Sequence, residues 1–246
     1  MNAIDVYFGE IRRILDEILD TQRDGMERAA MAIADANITG HNIFAFGCNH
    51  AGLPALELFY RAGGMVTINP IRAPGMMLEP TPITLTSQME RLPGYGDKIL
   101  LGTPAGAGDV LLIHSVSGRN AVSIDMALAA QKIGMTVVVI TNMNTTSAVS
   151  SRHPSGKKLC DCGTIVLDNR GCRGDAVLSF PGMPEKSAPS STVAAAAILN
   201  AIVGRAIEIM LEKGEEPPVF ISANLDGGDA HNKKIMEKYK AHIFYM

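Results

Sequence analysis

Short apolar runs that stop at glycine or serine, helix-patterned stretches between them, and the regular alternation of the two predict an α/β protein. The expected architecture is a parallel sheet covered by helices on both faces. The clearest runs are residues 42–46, stopped by Gly47, residues 110–114, stopped by Ser115, and residues 135–141, rich in Val and Ile. Runs that are apolar throughout, rather than alternating with polar residues, are those of strands buried on both faces.

The elements follow in order. Residues 3–36 form a helical lead-in: Ile11, Ile14, Leu15, Ile18 and Leu19 recur at spacings of three and four, with charged residues between them. Asp24-Gly25 predicts a break before a second helix over 26–36. After the first strand, a helix is expected over 54–62, ended by Gly63-Gly64, then a strand over 65–69. Residues 70–109 hold six of the thirteen prolines together with Gly94, Gly96, Gly102, Gly106 and Gly108, and predict loops with short helices, serving either as a lid or as a surface excursion. Beyond the strand at 110–114, the pattern gives a helix over 121–133 closed by Gly134, the strand at 135–141, and another at 164–168. A long helix over 191–213, a short strand over 219–222 and a last helix over 231–240 complete the chain. No repeat or linker divides it, so residues 1–246 are read as one domain with a helical lead-in.

Composition narrows the function classes. The chain has 246 residues, 47% of them apolar and 19% charged, which is enough for a sizeable core. A net charge of −3 with no basic block offers nothing to a nucleic-acid backbone or a membrane surface. The most apolar stretch, 193–203, is interrupted by Asn200 and is read as a buried helix rather than a span. The N-terminus is amphipathic and lacks the apolar centre of a signal peptide, so a cytoplasmic location is expected. Cys48, Cys160, Cys162 and Cys172 fit reduced thiols. A metal would need Cys160, Cys162 and Cys172 joined by a fourth ligand such as His153, and the C-x-C spacing is not that of a zinc knuckle. No metal or cofactor is expected.

In a parallel sheet, ligands sit beyond the carboxyl ends of the strands, so the loops leaving strands carry the information. The loop Gly47-Cys48-Asn49-His50-Ala51-Gly52 is small enough for backbone N–H groups to approach an anion at a helix start, although glycine there also serves a plain turn. Ser115-Val116-Ser117-Gly118-Arg119-Asn120 offers two hydroxyls, a free backbone and an amide: an oxyanion cradle, or a helix cap. Ser190-Ser191-Thr192 opens the long helix with three hydroxyls where a cap needs one. The phosphate loop of nucleotide-binding proteins and the G-x-G-x-x-G of dinucleotide folds are both missing.

This set resembles the sugar isomerase (SIS) domain: a strand ending in a Gly-rich loop, a second ending in S-x-S-G-x-N, and S-S-T opening a long helix. It is most similar to a poorly characterised bacterial SIS group, through Glu57–Gly64 (E-L-F-Y-R-A-G-G), Ser151–Lys157 (S-R-H-P-S-G-K), Asp168-Asn169, Gly174-Asp175-Ala176, and Ser222-Ala223-Asn224 with Gly227-Gly228-Asp229. The resemblance implies a three-layer α-β-α sandwich with a five-stranded parallel sheet in flavodoxin-like order. It also implies a sugar phosphate as ligand and self-association as a dimer or tetramer. Cys48 and Ala51 stand where relatives usually have serines, which moves the burden of phosphate binding to Ser115, Ser117 and Ser190–Thr192. Where family enzymes place a basic glutamate the chain has Arg61, with Glu57 one turn earlier as either base or ion-pair partner. Aldose–ketose isomerisation needs a base and an acid partner. Glu57 is the candidate base, unless it only pairs with Arg61, and His50, His153 and His231 are the candidate acid/base partners. A phosphosugar sensor without chemistry, a related lyase or etherase, and a structural assembly protein are the alternatives.

Overall fold

The computed structural model describes residues 2–246. Its centre is a five-stranded, all-parallel sheet formed by β1 (Ile43–Gly47), β2 (Ile68–Pro70), β3 (Val110–His114), β4 (Thr136–Thr141) and β5 (Ile165–Asp168), in the order β2-β1-β3-β4-β5. This is the flavodoxin-like order. Between β1 and β3 the chain winds in opposite directions, toward β2 on one side and β4 on the other, which makes that gap the topological switch point.

Alternate strand residues feed two cores, as the pleat requires. Ile43 and Ala45, Val110 and Leu112, and Val138 and Ile140 join a core with α1 (Ala3–Ile38) and α7 (Ser191–Glu212). Phe44 and Phe46, Leu111 and Ile113, and Val137 and Val139 join the opposite core under α5 (Ala121–Ile133) and the nearby α4 (Tyr95–Leu101). A third, small cluster of Val66, Phe220, Ile235 and Ile243 seats α8 (Gly228–Lys238) and the C-terminal residues.

Several elements differ from the expectation, each for a physical reason. The predicted break at Asp24-Gly25 is absent and α1 runs unbroken for 36 residues. Gly25 instead lets the helix approach β5, since a Cβ there would lie 2.6 Å from Leu167 Cδ2. The helix expected over 54–62 stops early: α2 is Leu53–Glu57. Beyond it the backbone turns to pair with residues 218–220, through Gly63 N to Phe220 O (2.8 Å) and Val66 N to Pro218 O (2.7 Å). The strand expected over 219–222 is only an isolated antiparallel bridge, Met65 to Val219. A hairpin of β6 (Ala176–Phe180) and β7 (Met183–Pro189) was not expected. Residues 70–109 hold α3 (Thr84–Met89) as well as α4, and α6 (Met143–Ser147) follows β4. The helix α7 is long and apolar enough to cross a membrane, but one face of it, including Ala195, Ile198, Ile202 and Ala206, lies in the core against α1.

Candidate functional site

At the switch point the loops after β1 and β3 border one crevice of about 350 Å³. Cys48, Asn49 and His50 line it from the first loop, and Ser115, Val116, Ser117 and Asn120 from the second. Two further walls come from Glu90, at the end of α3, and from Gly174-Asp175.

The second loop is held by its carbonyls. Thr141 Oγ1 donates to Ser115 O (2.7 Å), Asn142 N to Val116 O (3.1 Å), Thr146 Oγ1 to Ser117 O (3.1 Å), Leu159 N to Gly118 O (2.8 Å) and Arg152 N to Arg119 O (2.8 Å). Five successive acceptors are thus turned into the body of the protein. Gly118 N donates to Ser115 Oγ (3.3 Å), while among the described residues the N–H groups of Ser117, Arg119 and Asn120 meet no acceptor. Such a row of free donors at a helix start is an anion cradle. Asn120 does not cap α5 with its side chain; its Oδ1 accepts from Arg152 Nη1 at 2.9 Å.

The first loop depends on Gly47, where a Cβ would lie 2.1 Å from Ala51 O. His114, the last residue of β3, ties the two loops together: its Nδ1 meets Ala51 O at 3.0 Å. It is buried, and burial pushes its pKa down to about 4, so the ring is neutral and donates. Cys48 lies at the base of the crevice with its sulfur 3.8 Å from Met76 Sδ and from Ser123 Oγ. Burial, reinforced by the Glu90 charge, pushes its thiol up to about 12, so it acts as an inert wall.

Glu90 is the carboxylate that sequence reasoning missed. Burial raises its pKa above the usual carboxylate value, against the opposing pull of Asn120, Arg91, Arg152 and Asn49. A half-buried carboxyl raised by desolvation, inside a crevice lined with donors, has the character of a general base.

The other expected residues lie elsewhere. Glu57 is ion-paired with Arg61 and lines a separate hollow with Thr192, Leu53, Pro54 and Ala196. His153 is a clasp: Nε2 meets Asp125 Oδ1 at 2.8 Å and Nδ1 meets Ser155 Oγ at 2.7 Å, fixing the 150–158 segment to α5. His231 Nε2 meets Val219 O at 3.0 Å, beside the C-terminal cluster. Ser190 and Ser191 do open α7, but an internal anion already occupies their donors. Asp175 Oδ1 accepts from Ser190 N (3.0 Å) and Ser191 N (2.7 Å), and Oδ2 from Ser191 Oγ (2.7 Å). Gly47, Gly118 and Arg119 shape the loops without lining the crevice. Among the described residues, no cluster of three or more His, Cys, Asp or Glu is gathered as a metal site, and all four cysteines are free thiols.

Comparison with known proteins agrees with this geometry. The profile of the SIS domain family matches residues 6–142. A UPF0309 protein of Shouchella clausii is 47% identical over 246 residues, covering 100% of both chains. Among solved structures, phosphoheptose isomerase from Neisseria gonorrhoeae superposes with a TM-score of 0.56 at 16% identity, over 83% of this chain and 97% of that one. The Vibrio vulnificus NanR protein, solved with ManNAc-6P, superposes with a TM-score of 0.51 at 16% identity, over 98% of this chain and 69% of that one. With more than half its length matched by the family profile and a full-length relative at 47% identity, the chain belongs to the SIS domain family and, within it, to the UPF0309 proteins.

Proposed function

We propose that this protein binds a sugar phosphate at the switch-point crevice and interconverts its aldose and ketose forms through an enediol. One observation carries the binding half: five successive carbonyls of residues 115–119 are engaged by the body of the protein, leaving N–H groups and the Ser117 hydroxyl for the phosphate oxygens. The likeness to a neighbour solved with ManNAc-6P supports the same ligand class.

Glu90 supports the catalytic half. Its carboxylate removes a proton from the carbon beside the sugar carbonyl, and the carbonyl oxygen gains a proton as the enediol forms. Glu90 then returns its proton to the neighbouring carbon while the other enediol hydroxyl gives its proton back to the acid partner and becomes the new carbonyl, which completes the isomerisation with no redox change. His50, exposed at the crevice wall, is the proton donor to oxygen. Self-association and a reducing, cytoplasmic setting, consistent with four free thiols, belong to the same reading.

The binding test is calorimetric titration of Ser117→Ala with hexose, amino-sugar and heptose phosphates, where a loss of about 10-fold in affinity is expected. The catalytic test is exchange of the C2 hydrogen of the bound sugar with solvent deuterium. Glu90→Gln is expected to abolish exchange and Glu57→Gln to retain it. Exchange that survives in Glu90→Gln removes Glu90 as base. A second reading, a phosphosugar sensor without chemistry, is favoured by the ion pair that occupies Glu57. It holds if the wild type binds sugar phosphate and no exchange occurs.

A further inference from the structure

Three arginines flank the crevice just outside its lining, beside the lining residues Glu90 and Asn120, and none has a carboxylate partner among the described residues. Arg152 N donates to Arg119 O and its Nη1 to Asn120 Oδ1, which places its guanidinium beside the second loop. Among the described residues, Arg119 Nη2 reaches only the Ser150 hydroxyl (3.3 Å), and its Nε is buried with no hydrogen-bond partner. Arg91 follows Glu90 directly and is exposed. The three are close enough to act on one another: after burial, the charges of Arg119 and Arg91 are what lower the Arg152 pKa, and Glu90 alone opposes them. Arg13, Arg61, Arg170 and Arg205 sit on carboxylates, and Arg12 and Arg72 lie over aromatic rings, so the rim is set apart by three arginines coming together rather than by any one being unpaired. In a chain of net charge −3, three mutually repelling cations gathered at one opening, with the Glu90 carboxylate among them and the Asp175 carboxylate already taken up by Ser190 and Ser191, form a local anion trap rather than a general basic surface.

We infer that the ligand carries a second anionic group besides the phosphate held by the 115–120 cradle, and that Arg91, Arg119 and Arg152 receive it at the rim. This rests on the reading of the crevice as a phosphosugar site. Either a sugar-acid carboxylate or a second phosphate matches the forked donors of a guanidinium.

Titration at fixed ionic strength with glucose 6-phosphate, fructose 6-phosphate, 6-phosphogluconate and fructose 1,6-bisphosphate tests it. The last two are expected to bind at least about 10-fold more tightly than the monophosphates. The one with the greater gain identifies the anion as carboxylate or phosphate. Arg152→Gln, and independently Arg91→Gln, which breaks no hydrogen bond, should erase that gain, whereas Arg28→Gln on the exposed side of α1 should not. Equal affinity for all four, or a gain that persists in both rim variants, overturns the inference while leaving the phosphate cradle intact. Binding of none of the four, nor of the amino-sugar and heptose phosphates above, removes the cradle and this inference together.

Discussion

His114 shows how much a single buried side chain contributes to the site. Its Nδ1–H holds the Ala51 carbonyl of the first loop against the end of β3, and its Nε2 is buried without a partner among the described residues. Because the folded ring has a pKa of about 4 against 6.5 unfolded, only the unfolded chain gains a proton as pH falls below 6.5. The stability associated with the neutral ring is complete above pH 6.5 and is lost as pH drops toward 4, by at most about 3 kcal/mol. Glu90 acts with the opposite sign, since its raised pKa makes the folded state the better proton binder as pH falls through that value. Urea unfolding of His114→Gln is expected to show a flatter fall in stability between pH 6.5 and 4.5 than the wild type; equal slopes would mean that another group sets it. Neither residue was legible in the sequence. His114 reads as the polar end of an apolar strand, and Glu90 sits in a Pro/Gly-rich segment where no periodicity points anywhere. Glu57 was legible because it lies on the motif helix, yet Arg61, four residues on, absorbs its charge.

At the scale of elements, the start of α7 shows why a hydroxyl-rich motif misleads. The sequence offers Ser190, Ser191 and Thr192 to a ligand, but Asp175 takes up the Ser190 and Ser191 donors from fifteen residues upstream, in a left-handed backbone conformation (φ 70°). A carboxylate at a helix N-terminus is favoured by the dipole as well as by hydrogen bonds. Asp175→Ala should therefore cost about 1–3 kcal/mol, seen as a lower urea midpoint with unchanged slope. An unshifted midpoint would mean that water replaces the carboxylate without loss. Strands β1, β3 and β4 were readable because burial on both faces makes them apolar throughout. The hairpin β6–β7 was not, because its largely exposed residues show no alternation and only Pro181-Gly182 marks the turn. The end of α2 was missed because the backbone beyond it pairs with residues 218–220, a contact that no local pattern announces.

At the scale of the whole molecule, α1 is too long for the sheet it covers. Its 36 residues span roughly 54 Å, while the strands hold four to six residues or fewer. The stripe Ile4, Phe8, Ile11, Leu15, Ile18 runs at alternating spacings of four and three along one face. The subunit uses that stripe only from Ile11 onward: Ile11 and Ile18 are buried, whereas Ile4 and Phe8 are 67% and 55% exposed. An apolar stripe that continues past its own core is costly to leave in water, and a second α1 laid against it would extend the same packing. Sedimentation velocity should then find the wild type associated and Phe8→Glu monomeric. Urea unfolding of the variant should depend little on protein concentration, because the residue lies outside the subunit core. A wild type that sediments as a monomer at tens of micromolar would leave the first two turns of α1 without a partner copy. In that case the crevice, built wholly from one chain's loops, would have to bind its ligand without help from a neighbour.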